Sequence, residues 1–266
     1  MPRCAVLGSP IQHSLSPVLH RAAYTALGLS DWRYDAIEVP EGGLAAFVGS
    51  CGPEWAGLSL TMPLKREALA LVPASDLAKR ARAINTLSRR EDEWYGDNTD
   101  VPGAARALVD AGCGSPQRAA VIGGGATAGS MVLAFEALGC TEVQVLSRSA
   151  ERSAEALAVS PIATWSPLAG DLLHVDVVAS TIPAQAQDAA LVDRCGEAEA
   201  VFEVIYDPWP TPLAAAALAR GATVVTGLDL LVNQAALQVA MHTGAEVSDD
   251  VVAAMRAAGA AVWAVD

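Results

Sequence analysis

A glycine-rich segment in the middle of the chain has the residue types and spacing that bind phosphate. An apolar run ends at Gly123, Gly124 and Gly125, and small residues follow from Ala126 to Ala128. Gly123 permits a tight turn, Gly125 lets a phosphate approach the main chain, and Ala128 allows close packing of a helix on a strand. Free N–H groups at such a helix start bind the pyrophosphate of a dinucleotide. A plain strand-to-helix connection can have the same glycines, so this segment alone leaves both interpretations open.

Cationic residues after the next predicted strand distinguish between the dinucleotides. That strand ends in Ser147, Arg148 and Ser149, and Arg152 follows one helical turn later. NAD-binding proteins usually have a carboxylate at this point, which accepts a hydrogen bond from the ribose 2′-hydroxyl. A guanidinium instead pairs with a 2′-phosphate. The pattern therefore favours NADP over NAD, and the alternative is a solvated surface on which the two arginines have Glu151 as partner.

Composition limits the class of protein. The chain has 266 residues, of which 52% are hydrophobic and 18% charged, so it can bury a substantial core in two modest domains. Its formal charge of −13 argues against nucleic acid and acidic membrane surfaces as partners, because both require a positive surface. No apolar run is long enough to span a bilayer, and the first residues predict a strand instead of a secretory signal. We therefore expect a cytoplasmic location.

The spacing of the cysteines and histidines predicts neither a metal site nor a cysteine nucleophile. The odd number of cysteines and the absence of a Cys-x-x-Cys pair predict buried free thiols. The four histidines likewise lack metal-ligand spacing. The cysteines are Cys4, Cys51, Cys113, Cys140 and Cys195.

Hydrophobic periodicity predicts an α/β protein with two domains. In the first half, the pattern predicts strands over 3–7, 32–39 and 55–60, a hairpin over 84–88 and 93–95, and helices over 17–27, 44–51 and 99–111. Further along, it predicts strands over 119–122, 142–146, 175–180, 201–205 and 223–225. Their alternation with alanine-rich helical segments is typical of a doubly wound parallel sheet of Rossmann type. Two final helices, 228–243 and 249–261, are expected to return to the first domain, which gives domains of 1–100 plus 235–266 and of 101–234.

The first predicted helix could bind a carboxylate. Ser16 is predicted at the N-cap and Pro17 at the first helical position. The helix start and the hydroxyls of Ser14 and Ser16 would then face the carboxyl edge of the sheet, where an anion is favoured. Capping alone explains Ser16, and it does not explain Ser14.

Several motifs together resemble the shikimate dehydrogenase family, in the family's order and over nearly the whole chain. They are Gly8-Ser-Pro-x-x-x-Ser14-Leu-Ser16-Pro17, Ser59-Leu-Thr61-Met-Pro-Leu-Lys65, Ala83-Ile-Asn85-Thr86, Gly96-Asp-Asn-Thr99-Asp100, Ile205-Tyr206-Asp-Pro-Trp-Pro-Thr-Pro-Leu213 and Gly227-Leu-Asp-Leu-Leu-Val-Asn-Gln234. The resemblance implies a substrate domain, an NADP-binding domain and reversible reduction of 3-dehydroshikimate to shikimate. It leaves a homodimer and a monomer both open.

The resemblance also implies roles for single residues on the substrate side. Lys65 and Asp100 match the catalytic pair, and the sharing of the proton between them stays open. Ser14 and Ser16 match the residues that bind the substrate carboxylate. The remaining substrate contacts that it implies are Ser59, Thr61, Asn85, Asp100, Tyr206 and Gln234. Ser59 stands where the family usually has Asn, and its shorter side chain could reach the ring through water.

On the cofactor side, the resemblance implies three groups of contacts. The pyrophosphate group comprises Gly123, Gly124, Gly125, Ala126 and Ala128. The group at the adenosine 2′-phosphate comprises Ser147, which replaces a usual Asn, with Arg148, Ser149 and Arg152. The group near the nicotinamide comprises Thr181, Val204 and Gly227.

Three alternatives remain at this point. A related dehydrogenase could act on quinate or an aminated shikimate, although quinate-using relatives often have Thr at the position of Ser16 and an acidic residue at the 2′-phosphate position. An enzyme of tetrahydrofolate metabolism is disfavoured, because Ser14 and Ser16 have no purpose for a folate. A catalytically silent NADP-binding sensor is disfavoured because both Lys65 and Asp100 are present.

Overall fold

The computed structural model describes residues 1–263, which divide into two compact units. The first unit comprises Met1–Thr99 together with the chain from Leu231, and the second comprises Asp100–Leu230. The boundaries predicted from the sequence, 100/101 and 234/235, lie one and four residues further along the chain. Residues 264–266, the end of the range predicted for the first domain, lie outside the described residues.

The first unit is built on a five-stranded mixed sheet. In chain order its elements are β1 (Arg3–Gly8), α1 (Ser16–Ala26), β2 (Arg33–Glu38), α2 (Leu44–Ser50), β3 (Trp55–Leu60), α3 (Asp76–Ala81), β4 (Thr86–Arg90) and β5 (Glu93–Asp97). The strand order is β2-β1-β3-β4-β5, with β1 to β3 parallel and the β4–β5 hairpin antiparallel. Leu7, Leu58 and Leu60 lie in the buried apolar cluster of this sheet. The carboxyl ends of β1 and β3 therefore lie at one edge, where Ser14 and Thr61 follow.

The second unit is a six-stranded parallel sheet covered by helices. Its elements are α4 (Asp100–Asp110), β6 (Arg118–Ile122), α5 (Ala126–Ala137), β7 (Glu142–Ser147), α6 (Ala150–Ala158), β8 (Ala163–Pro167), β9 (Val177–Ser180), α7 (Ala189–Arg194), β10 (Ala200–Glu203), α8 (Pro212–Ala219) and β11 (Thr223–Thr226). The order β11-β10-β9-β6-β7-β8 is, read from β8, the 3-2-1-4-5-6 order of the Rossmann fold. The fold class predicted from the sequence is correct.

Strand β8 was missed by the sequence analysis. It lies at the edge of the sheet, and its residues are half-buried or exposed, so it has no alternating apolar pattern. Periodicity detects a strand only when one face is buried. The short helix α3 was missed as well, because six residues do not complete two helical turns.

Two helices complete the described chain. Helix α9 (Gly227–Thr243) starts in the second unit and continues in the first, and α10 (Asp249–Trp263) packs along α1. The predicted return of the C-terminal helices to the first unit is therefore confirmed. Within residues 1–263, no helix is both long and apolar enough to cross a membrane.

Candidate functional site

The start of α1 differs from the sequence prediction. Leu15, rather than Ser16, is the N-cap, because its carbonyl already accepts from the N–H groups of Val18 and Leu19. The Ser14 hydroxyl accepts from the N–H of Ser16 at 3.3 Å. The prediction that Ser16 caps the helix is therefore wrong, and a capping role falls to Ser14, whose hydroxyl satisfies one of the free N–H groups of the first turn.

A buried hydroxyl pair lies beneath α1. The Tyr34 hydroxyl donates to Ser59 Oγ at 2.6 Å, and Ser59 Oγ donates to Gln238 Oε1 at 2.8 Å. Burial raises the pKa of Tyr34, and hydrogen bonds with Ser59 and Ser16 oppose the shift in part. Since the side chains of Ser16 and Ser59 are both buried, the two serines belong to one connected polar cluster.

Asn85 and Gln234 meet in the same unit. Asn85 Oδ1 accepts from the N–H of Thr99 and from the hydroxyl of Thr86, both at 2.8 Å. Its amide nitrogen donates to Thr99 Oγ1 at 3.0 Å and to Gln234 Oε1 at 3.3 Å. Both predicted substrate residues thus have fixed orientations before any ligand binds.

Backbone bonds hold Thr61 and Lys65 close to Asn85. The N–H of Thr61 donates to the end of β1 at 2.9 Å, and the carbonyl of Lys65 accepts from the N–H of Ile84 at 2.8 Å. The main chain of Lys65 is therefore held beside the residue that precedes Asn85. Asp100, its predicted catalytic partner, is a buried residue and begins α4 in the second unit.

The glycine turn of the second unit fits a pyrophosphate. Gly123 has a φ of +125°, which favours glycine, and an added Cβ would overlap the Thr181 hydroxyl. A Cβ on Gly124 would overlap the main-chain carbonyl of Arg152. A Cβ on Gly125 would meet nothing within 4 Å, so the space in front of this residue is open. Helix α5 starts there without a side-chain cap, and its first N–H groups remain available for an anion.

Ser147 organises the loop that carries the two arginines. Its hydroxyl donates to the Ser149 carbonyl at 2.6 Å and accepts from Ser153 Oγ at 2.6 Å and from the indole N–H of Trp165 at 3.2 Å. Ser147 is buried, whereas Arg148 is exposed.

The two arginines of this loop are both exposed at the surface. Among residues 1–263, the side chains of Arg148 and Arg152 have no hydrogen-bond or ion-pair partner, and Glu151 instead pairs with Ser149. The arrangement differs from the solvated surface considered above, in which Glu151 neutralises the arginines.

The last group of predicted cofactor residues lies where β9, β10 and β11 end, with Thr181, Val204 and Gly227 directly after these strands. A Cβ on Gly227 would overlap the carbonyl of Val204 and would lie 3.3 Å from the ring of Tyr206. Burial raises the pKa of Tyr206, and the charge of Asp207 adds to the shift. Val204, Tyr206 and Gly227 are therefore in direct proximity.

Two buried hydrogen-bonding centres were missed by the sequence analysis. Gln238 lies one turn after Gln234 on α9, and this spacing on one helix face could have indicated it. Glu203, at the end of β10, is fully buried and accepts from Gln187, Thr211 and the N–H of Ile205. A carboxylate at the end of an apolar strand is the signal that could have indicated it.

The cysteines are all free, and the described residues contain no metal-type cluster. Cys4, Cys140 and Cys195 are buried, but Cys51 and Cys113 are half-buried, so the prediction of burial is wrong for these two. In residues 1–263, no three His, Cys, Asp or Glu side chains are arranged to hold a metal ion.

The fold and the geometry define a class of protein. A Rossmann-type sheet with an open glycine turn and two unpartnered arginines after its second strand is typical of proteins that bind NADP. The model of a "Shikimate dehydrogenase substrate binding domain" family matches residues 6–87.

Whole-chain comparisons agree with that match. A curated relative from Synechocystis sp., "Shikimate dehydrogenase (NADP(+))", is 34% identical over 92% of this chain and 91% of its own length. The crystal structure of Mycobacterium tuberculosis shikimate dehydrogenase has a TM-score of 0.90 at 39% identity and covers 98% of this chain and 100% of that one. A Thermus thermophilus enzyme solved with NADP(H) and shikimate has a TM-score of 0.88 at 30% identity, covering 98% and 99%. This chain belongs to the shikimate dehydrogenase family.

Proposed function

We propose that this protein catalyses the reversible, NADP-dependent reduction of 3-dehydroshikimate to shikimate. The observation that carries the proposal is one hydrogen-bond network that joins Asn85 and Gln234, which match substrate contacts of the family, with Ser59, which stands at a third such position. The curated relative is named for NADP-dependent shikimate dehydrogenase activity, and the Thermus structure contains both ligands.

The residues of the second unit fit the cofactor. Gly123, Gly124 and Gly125 would hold the pyrophosphate at the start of α5, and Arg148 with Arg152 would pair with the 2′-phosphate. Thr181, whose hydroxyl donates to the Ile122 carbonyl at 2.9 Å, would lie near the nicotinamide with Val204 and Gly227. When bound, NADPH supplies the hydride that reduces the ketone.

Substrate-side residues must handle a proton and fix the ring. Reduction of a ketone places negative charge on its oxygen, and a positioned acid must donate a proton there, while the reverse reaction needs the same group as base. We propose that the Lys65 amine transfers this proton and that Asp100 binds the reacting hydroxyl. Ser14 and Ser16 would bind the carboxylate, with Thr61, Asn85, Gln234 and Tyr206 at the ring.

The thiols and the net charge bear on the location and the partners of the protein. Five free thiols are compatible with the reducing conditions of the cytoplasm, which we propose as its location. The formal charge of −13 supports small molecules rather than nucleic acid or membranes as partners. A monomer and a homodimer are both compatible with this function.

Turnover on three substrates tests the proposal. The purified protein with NADP should oxidise shikimate and form NADPH, which is followed by its near-ultraviolet absorbance. Quinate and aminoshikimate should react more slowly at equal concentration. Faster turnover of either compound would instead assign the protein to a related dehydrogenase, and no turnover by folded, NADP-binding protein would contradict the proposal.

A lysine variant separates an enzyme from an NADP-binding sensor. Lys65→Ala should lose most of its turnover and keep its affinity for NADP, because only the proton-transferring group is removed. The neighbouring, exposed Arg66 provides the control, since Arg66→Ala should retain turnover. Unchanged turnover in Lys65→Ala would show that the assigned chemistry is wrong.

A further inference from the structure

We propose that Gln238 is a positioning residue of the substrate site, and that Ser59 acts by fixing Gln238 rather than by donating to the substrate. The inference rests on the proposed function. It concerns a buried amide whose four contacts join Ser59, a substrate position of the family, to Asn85 and to Thr86, the first residue of β4.

The side-chain amide of Gln238 uses its full hydrogen-bonding capacity. Its Oε1 accepts from Ser59 Oγ at 2.8 Å and pairs with His20 Nε2 at 3.2 Å. Its Nε2 donates to the Asn85 carbonyl at 3.2 Å and to Thr86 Oγ1 at 3.0 Å. Two donors and two acceptor positions are all that an amide offers. The opposite orientation would bring its oxygen against the Asn85 carbonyl, so the amide has one stable orientation.

The hydroxyl of Ser59 is committed to this arrangement. It has one proton, which it gives to Gln238, and one of its lone pairs accepts from Tyr34. A remaining lone pair could accept from a ligand, but no proton remains to donate to one. Ser59 is 3% exposed, and its hydroxyl is bonded to both Tyr34 and Gln238. It therefore fixes the orientation of Gln238 instead of donating to a ring hydroxyl of the substrate.

Gln238 determines the side-chain orientation of Asn85 through two routes. It shares the Asn85 carbonyl with the N–H of Leu60, which donates at 2.7 Å. It also donates to Thr86 Oγ1, and this hydroxyl in turn gives its proton to Asn85 Oδ1 at 2.8 Å. The Asn85 amide then has only one productive orientation, with its nitrogen toward Gln234 and Thr99. Loss of the Gln238 amide would free the hydroxyl of Thr86 to rotate and would weaken this orientation.

Steady-state kinetics of Gln238→Leu test the role. The variant should raise the KM for shikimate by about tenfold and change the KM for NADP by less than about twofold, because the disturbed contacts all belong to the first unit. Gln117→Leu, the same change at an exposed residue of the second unit, should leave both constants unchanged.

A double-mutant cycle distinguishes positioning from general destabilisation. Ser59→Ala should also raise the KM for shikimate, and Ser59→Ala combined with Gln238→Leu should be less than additive, because both changes break the same hydrogen bond. A residue with a merely structural role would change thermal stability without this coupling in KM. Gln238→Glu keeps the size of the side chain and creates no cavity, but a carboxylate has no donor and a carboxylic acid has one donor for the two acceptors at Asn85 and Thr86, so this variant should also raise the KM for shikimate.

The outcomes separate this inference from the proposed function. Wild-type turnover of shikimate tests the proposed function by itself. Its absence would contradict both that function and the role of Gln238. If the wild type is active and folded Gln238→Leu or Gln238→Glu keeps the wild-type KM for shikimate, the role of Gln238 is overturned. Fully additive effects of the Ser59 and Gln238 changes would overturn the role of Ser59.

Discussion

Each unit contains a buried polar centre, but only that of the second unit is a carboxylate. In the first unit, the neutral amide of Gln238 joins hydroxyls, an imidazole and a main-chain carbonyl. In the second, Glu203 accepts from Gln187 Nε2 at 2.8 Å, Thr211 Oγ1 at 2.7 Å and the N–H of Ile205 at 3.1 Å. Glu203 ends β10 and is followed by Val204, a residue of the proposed site, whereas Gln238 lies within α9, one turn after Gln234.

The two units should differ in how their stability depends on pH, because they bury different titratable groups. Burial raises the pKa of Glu203, and its hydrogen bonds with Thr211 and Gln187 oppose that shift only in part. In the first unit, burial lowers the pKa of His20 well below its usual value and that of His242 to about 4. A falling pH therefore lowers the stability of the first unit, because its buried neutral histidines resist protonation. Glu203 has the opposite effect, because it binds a proton more readily in the folded second unit than in the unfolded chain.

Removal of the carboxylate should produce the largest loss of stability. Glu203→Leu leaves the donors of Gln187, Thr211 and Ile205 without their acceptor, the first two of them buried, and we expect a decrease of about 3 kcal/mol or more in the free energy of unfolding. Urea titration measures the loss. Glu199→Leu, an exposed glutamate on the same segment, is the control and should remain within about 0.5 kcal/mol of the wild type. An equal effect of both changes would contradict a special role for Glu203.

Mild acid should weaken the first unit selectively. A folded-state pKa that is depressed from 6.5 to about 4 means that the contribution of His242 is complete above pH 6.5 and is lost as the pH falls to about 4. At about pH 5 the loss is roughly 2 kcal/mol. Hydrogen exchange should then be faster in β3 and α9 than in the strands of the second unit.

The control for this pH effect removes the imidazole and keeps a ring. His242 packs against Gly57, where an added Cβ would overlap the imidazole, so the ring is closely surrounded. His242→Phe should make the melting temperature less dependent on pH between about 5 and 7. An unchanged pH dependence would assign the acid sensitivity to other groups.

Most elements with a buried face were predicted correctly from the sequence, whereas the short helix α3 and the two polar centres were not. Helix α4 was expected over 99–111 and lies over Asp100–Asp110, because its apolar spacing is clear. Gln238 and Glu203 escaped because periodicity treats a polar residue in an apolar segment as an interruption, and only tertiary contacts show that it is satisfied. Ser16 was placed at the N-cap because local sequence cannot show that the Ser14 hydroxyl already accepts its N–H.

A smaller effect should result from loosening the loop that carries Arg148 and Arg152. Ser147→Ala removes one donor and two acceptor contacts, and we expect a stability loss of about 1–2 kcal/mol and a several-fold weaker affinity for NADPH. Fluorescence titration with NADPH measures the affinity. Trp165→Phe, which removes one of the three bonds, should have less effect. Tighter binding in Ser147→Ala would show that the serine does not support the arginines.

The smallest stability effect is expected at Ser14, outside both polar centres. Its hydrogen bond to Ser16 is long, at 3.3 Å, so Ser14→Ala should lower the free energy of unfolding by only about 0.5 kcal/mol. Thr25→Ala, which removes an exposed hydroxyl on the same helix, is the matched control. If Ser14 also binds the substrate carboxylate, the KM for shikimate should rise at least about tenfold while the melting temperature stays close to that of the control. A change in melting temperature without a change in KM would mean that Ser14 serves the helix alone, because a cap stabilises the fold whether or not a ligand is present.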